Sequence, residues 1–110
     1  MEDRERRLGL NEAMFREVNE RVEEVNQAFG SITGQFEIFC ECGDLGCTEQ
    51  LTIAAARYED VRSDATWFAV IPGHDVATVE QIVASHRAYD IVQKRPGEAA
   101  LIAEKTDPRD

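Results

Sequence analysis

Positive charge is scarce in this chain, and a long apolar run is missing. Twelve lysines and arginines stand against 22 aspartates and glutamates, leaving a formal charge of −10. A surface of that sign repels phosphate backbones and acidic headgroups, so nucleic acid and membrane are not expected partners. No stretch approaches the roughly 20 consecutive apolar residues that span a bilayer. The N-terminus has charges where a signal peptide needs an apolar run, so a cytoplasmic protein is expected. Sequence repeats, linkers and low-complexity segments are also lacking. So are several catalytic signatures. Gly43 and Gly46 lack the lysine of a phosphate-binding loop. The His-x-Glu motif with a later Cys-x2-Cys pair of zinc deaminases is absent, and no Ser-His-Asp set is suggested by spacing. With 110 residues the chain has room for one domain with a modest core.

What is present is a cluster of thiols. All three cysteines fall within eight residues, Cys40-Glu41-Cys42-Gly43-Asp44-Leu45-Gly46-Cys47. In a reducing compartment a disulfide framework is disfavoured, and an odd count leaves one thiol unpaired. Three thiols on a glycine-broken turn suit a tetrahedral zinc, and a small core gains stability from such an ion. Gly43 and Gly46 let the backbone curl so that amides face the electron-rich sulfurs. The spacing Cys-x-Cys-x4-Cys is less common than the paired Cys-x2-Cys of zinc ribbons. Two histidines compete for the fourth position. His74 follows the tight Pro72-Gly73 turn and is favoured; His86 falls on an apolar face with Val79 and Ile82, where a histidine is more often a core or boundary residue. Asp44 is a weaker candidate. The expected ligand set is therefore Cys40, Cys42, Cys47 and His74 around Zn2+.

Two other uses of the cluster stay open. Three unrelated thiols would act as small hydrophobes. A redox role would pair Cys40 with Cys42 and use Cys47 as resolving thiol. Nothing basic lies beside Cys40 or Cys42, and Glu41, Asp44 and Glu49 would raise a thiol pKa, which weighs against thiol catalysis. A catalytic zinc needs an open coordination position, which three cysteines and a histidine would fill; Glu41 and Glu49 are candidate bases only by proximity.

Residues 1–10 mix Arg4, Arg6 and Arg7 with acids and read as a flexible, solvated segment. Asn11 can cap a helix running to Phe29, with Gly30 as its stop. Glu12/Arg16 and Glu17/Arg21 have the favourable i,i+4 order. Phe15, Val18, Val22, Val25 and Phe29 repeat at 3-4-3-4, with Leu8 extending the seam backwards. Such a seam packs on the domain or forms a coiled-coil dimer; the flanks at Met14, Asn19, Asn26 and Ala28 lack pairing charges, which favours packing within the domain. Glu20, Glu23 and Glu24 are expected on a solvated face. After a loop at residues 31–34, the alternation of Phe36, Ile38 and Cys40 predicts a strand that delivers Cys40 to its end. Gln50 and Leu51 give a weak return-strand signal. Thr52 is expected to cap a helix carrying Ile53, Ala54, Tyr58 and Val61, ended by Ser63 and Asp64. Thr66 to Ile71 predicts a second strand with Trp67 and Phe68 in the core. Thr78 and Gln81 resemble a capping box ahead of a short helix bearing Val79, Ile82, Val83 and His86. Tyr89 to Lys94 is a third strand, and Glu98 to Lys105 an alanine-rich helix. Tyr58 and Tyr89 are placed at the core or its boundary, with hydroxyls reaching the surface.

Several of these segments together look familiar. Asn11-Glu12-Ala13-Met14-Phe15-Arg16-Glu17-Val18-Asn19-Glu20-Arg21-Val22, Phe39-Cys40-Glu41-Cys42-Gly43 with Cys47, Tyr58-Glu59-Asp60-Val61-Arg62, Phe68 with Pro72-Gly73-His74, and Tyr89-Asp90-Ile91-Val92-Gln93-Lys94 resemble a family of small uncharacterised actinobacterial proteins. The likeness covers about Asn11 to Asp107. It implies a complete stand-alone domain and supports the Pro-Gly-His element as part of the shared site. It implies no substrate and no reaction. Gln93 stands where the family has glutamate, a departure that touches no ligand.

The expected fold is α+β: a long N-terminal helix on a small, mainly antiparallel sheet with short helices, zinc-stabilised, over a domain at residues 11–107. The expected role is a structural-zinc module for protein interaction or regulation. Its partner would be another protein, possibly a basic one, with the chain a monomer or a helix-mediated homodimer. A redox-responsive switch that ejects zinc on oxidation is the alternative, and a zinc enzyme is the third choice.

Overall fold

The computed structural model describes residues 2–28 and 34–109. In chain order these form α1 (Glu2–Ala28), β1 (Gln35–Phe39), β2 (Gln50–Ala54), α2 (Ala55–Arg62), β3 (Trp67–Val70), β4 (Glu80–Ser85), β5 (Asp90–Lys94) and α3 (Glu98–Lys105). The class is α+β, with two small antiparallel sheets: β1 pairs with β2, and β5 lies between β3 and β4.

The strand alternation of the sequence holds where it was clearest. Phe36 and Ile38 of β1 face Ile53 and Leu51 of β2, and all four are buried. With Tyr58, Val61, Ala69, Tyr89 and Ile91 they make one core cluster. Phe68, Val70 and Val92 make a second, which includes Cys40 and Cys42. The thiol cluster therefore grows out of the apolar core. Trp67 is only half-buried, while Phe68 is buried as expected.

Thr52 caps no helix. It is the central residue of β2, opposite Glu37, because Leu51 and Ile53 bury together against β1; α2 starts at Ala55. The segment with Val79, Ile82, Val83 and His86 is no helix either. Residues Glu80–Ser85 pair with β5, Ile82 opposite Val92 and Val83 left in a bulge between Ile82 and Ala84, and tertiary pairing overrides an ambiguous apolar spacing. Tyr58 is wholly buried and its hydroxyl donates to Glu41, so it does not reach the surface.

Helix α1 departs furthest from expectation. It begins at Glu2, nine residues before Asn11, so residues 2–10 are helical where a flexible segment was expected. Glu5 accepts the Ala99 N–H at the start of α3, and Gly9 lies against Ala99 and Ile102. Asn11 is no cap; its amide donates to Gly43 O at 3.0 Å. The apolar seam is not the buried face: Val18 and Val25 are exposed, and Phe15 and Val22 are only half-buried. Glu12, Arg16, Asn19, Glu20 and Glu23 are buried instead. Each meets a partner inside. Lys94 donates to both Glu12 and Glu80, Arg16 donates to the Ala65 and Ala103 carbonyls, and Glu20 takes Arg62 and Arg109. Glu23 accepts from Arg109 at 2.6 Å, so of the supposed solvated acids only Glu24 is exposed. Phe29, Gly30 and residues 31–33 of the expected loop lie outside the described residues.

Candidate metal centre

Three pieces of chain converge on the site. β1 ends at Phe39 and hands over to Cys40, whose N–H donates to Glu49 O at 3.0 Å; this bond closes the cysteine loop at its neck. Glu41 N then donates to Ala69 O, which lays residues 40–42 along the outer edge of β3. The turn after β3 supplies the third piece. His74 N donates to Ile71 O at 2.9 Å across Pro72-Gly73, where Gly73 takes a φ of +92°.

The four residues singled out in the sequence come together. One ligand atom from each of Cys40, Cys42, Cys47 and His74 lies within 4.8 Å of all the others. His74 Nδ1 is 3.5 Å from Cys40 Sγ and 3.7 Å from Cys47 Sγ. A tetrahedral zinc, with Zn–S about 2.3 Å and Zn–N about 2.0 Å, separates its ligand atoms by roughly 3.5–3.8 Å. The group is thus placed to hold a metal ion, and its soft sulfur-rich donors suit zinc. Cys40 and Cys42 are buried, while Cys47 and His74 are half-buried.

His86 is not part of the group. It sits at the end of β4, stacked on Tyr89 with ring centroids 4.7 Å apart. Asp44 is also spoken for: its Oδ1 accepts the Gly46 N–H at 2.8 Å and shapes the turn, while its carbonyl accepts the Cys47 N–H.

Backbone amides do face the sulfurs. Ile71 N–H points at Cys40 Sγ at 3.2 Å, and the amides of Asp44 and Glu49 serve Cys42 and Cys47. Hydrogen bonds of this kind stabilise thiolate charge. The Cys42 thiol is pulled down to about 5, chiefly by the Cys40 thiol and then, against burial, by Asp44 N–H and His74. Cys40 is pushed up, first by its bond to Cys42 and then by burial; burial also raises Cys47. The sequence showed no basic neighbour for Cys40 or Cys42; the fold brings His74 and backbone amides to them instead.

Three residues support the site in ways the sequence did not reveal, although Glu41 and Glu49 were noted there as acids near the thiols. Glu49 Oε2 lies 3.2 Å from His74 Nε2, so the carboxylate can hold that N–H and leave Nδ1 turned to the sulfurs. Asn19 of α1 pairs with Phe39 like a strand neighbour, accepting its N–H and donating to its carbonyl, both at 2.8 Å; its amide also reaches Glu41. Glu41, between two ligands in sequence, turns away from them. Its carboxylate accepts from Asn19, Tyr58 and Ala69 N inside the core. Burial pushes the Glu41 carboxyl up, against the lowering pull of these donors and Arg62. Gly43 meets α1 directly: it takes φ +81°, and a Cβ there would come 2.6 Å from Leu8 Cδ1. An i,i+3 or heptad pattern could not show these contacts, because each joins segments far apart in sequence.

Among the described residues no helix is long and apolar enough to cross a membrane. No protein-family model, curated protein or solved structure matches the chain.

Proposed function

We propose that this chain is a zinc protein in which Cys40, Cys42, Cys47 and His74 close around one ion, and that the domain so fixed serves protein interaction or regulation in the cytoplasm. The convergence of four ligand atoms within 4.8 Å carries this reading. Four protein ligands leave no open position for a substrate or an activated water. The two candidate bases are also engaged, Glu41 in the core and Glu49 on His74, which counts against a zinc enzyme. The centre ties the end of β1, the cysteine loop and the turn after β3 into one unit, the usual work of a structural zinc. The acidic surface suits a basic protein partner.

Elemental analysis of protein purified under reducing conditions tests this. One zinc per chain, with loss of fold on chelation, is the expected result. Iron in its place would change the cofactor and keep the site. A metal-free, folded protein would overturn the proposal.

A redox-responsive switch is the second reading, favoured by the close grouping of the three thiols and by the partial exposure of Cys47. It requires that mild peroxide release the zinc and that reductant allow its return. Zinc retained under peroxide would exclude it.

A further inference from the structure

Three charged side chains meet inside the protein where α1, β4 and β5 come together. Lys94 of β5 donates to Glu12 of α1 and to Glu80 of β4, and all three side chains are fully buried. A buried ionic group is poor evidence for stability, because apolar residues of similar volume often do as well or better. What this one fixes is visible in the backbone around it.

Glu80 is the member that reaches towards the metal centre. Its Oε1 takes Lys94, and its Oε2 accepts the Val76 N–H at 2.8 Å. The Glu80 N–H donates in turn to the Val76 carbonyl at 3.1 Å. One residue thus holds both backbone groups of Val76. Val76 stands two residues beyond His74, and the His74 N–H is tied back to Ile71 on the other side. The stretch that carries the histidine is therefore pinned at both ends. Val76 lines one cleft with Leu8, Cys42 and His74, so a shift of Val76 is felt where the ligands meet. Glu12 meets the other loop: a Cβ on Gly43, the residue after Cys42, would come 2.7 Å from the Glu12 Cγ.

We propose that Glu80 is a positioning residue for the metal centre: clamped by Lys94, it grips Val76 and so sets where His74 presents Nδ1. This rests on the reading of Cys40, Cys42, Cys47 and His74 as zinc ligands, and it gives the histidine a second support. Glu49 steers the ring through Nε2, whereas Glu80 places the backbone from which the ring springs. Lys94 keeps the Glu80 carboxylate inside, where a lone charge could not stay.

Zinc affinity of the full chain, read by competition with a chromophoric chelator, tests this. Glu80→Gln preserves size and leaves the Glu12–Lys94 pair, but one amide oxygen cannot serve Lys94 and Val76 together. Affinity should fall about tenfold. In a His74→Ala background the same change should cost less than about threefold, because the residue it places is gone. Glu12→Gln, equally buried but seated at Gly43, should stay within about threefold of wild type. A merely structural Glu80 would lower affinity by the same factor in both backgrounds, and that result would overturn the proposal. So would a Glu12→Gln loss as large as that of Glu80→Gln. Should Glu80→Gln fail to fold, amide exchange in the zinc-loaded wild type decides: the Val76 N–H should exchange about a hundredfold more slowly than an exposed amide, and an unprotected Val76 would refute the grip. A wild-type chain that binds no zinc would remove the metal reading and this inference with it. One zinc in the wild type and an unchanged affinity in Glu80→Gln would remove this inference alone.

Discussion

At the scale of single residues, the metal centre separates two histidines that look alike in sequence. His74 presents Nδ1 to two sulfurs and Nε2 to Glu49, whereas His86 stacks on Tyr89. His74→Ala should cut zinc affinity by orders of magnitude, and His86→Ala should leave it unchanged, as read by competition with a chromophoric chelator. Glu49→Gln should fall between them, about 10- to 100-fold weaker, because it frees the ring that the carboxylate orients. An unchanged affinity in Glu49→Gln would deny the carboxylate that role. The clustering of these four residues was legible because chemistry restricts the candidates: few residue types bind a metal of this kind, and a tight Pro-Gly turn aims a side chain well. Glu49 was legible only as an acid near the thiols, since nothing local reveals which ring nitrogen it meets.

At the scale of elements, α1 is anchored by polar contacts more than by its apolar seam. Asn19 satisfies both backbone groups of Phe39, one residue before the first ligand, and shares Glu41. Asn19→Ala would leave a buried N–H, a carbonyl and part of a carboxylate without partners. A loss of about 2–4 kcal/mol in urea unfolding is expected, with weaker zinc binding as a consequence. A loss under about 0.5 kcal/mol would show that water replaces the amide at little cost.

The buried triad of Glu12, Lys94 and Glu80 gives the same helix a pH signature. Two carboxylates share one ammonium with no exposure, and burial pushes the Glu12 carboxyl from 4.5 up to about 8, Lys94 pulling down and Glu80 pushing up again. Between those values the folded chain keeps a proton that the unfolded chain has lost, so this group makes stability fall as pH rises through the window. Glu12→Gln removes that slope. Relative to wild type it should gain about 1–3 kcal/mol at pH 9 over its value at pH 5, measured by urea midpoints. Glu23, also pushed up to about 8 by burial and by Glu59, adds a slope of the same sign that both proteins retain. An equal pH profile in the two proteins would refute the assignment to Glu12. The helix itself was plain in the sequence, and its inward face was not. Amphipathic periodicity assumes that charge faces water. Here the partners that make charge tolerable inside, Lys94, Arg62 and Arg109, come from the second half of the chain.

At the scale of the molecule, the elements with strong local signals came out as read: β1, β3, β5 and α3 all lie where alternation, aromatic content or a Pro-Gly turn put them. β2 and β4 were obscured because Thr52 and Thr78 each carry a helix-cap signal that long-range pairing overrides. Two small sheets and a half-charged helix interface make a small core, for which the proposed ion would be a substantial source of stability. The thiols, the cysteine loop and the Pro-Gly turn converge at the proposed centre, so metal and fold should be lost together. The most direct measurement is elemental analysis of protein purified under reducing conditions, followed by circular dichroism during chelation. The account predicts one zinc per chain and a cooperative loss of structure as the chelator removes it. A protein that carries no metal and keeps its fold would contradict it.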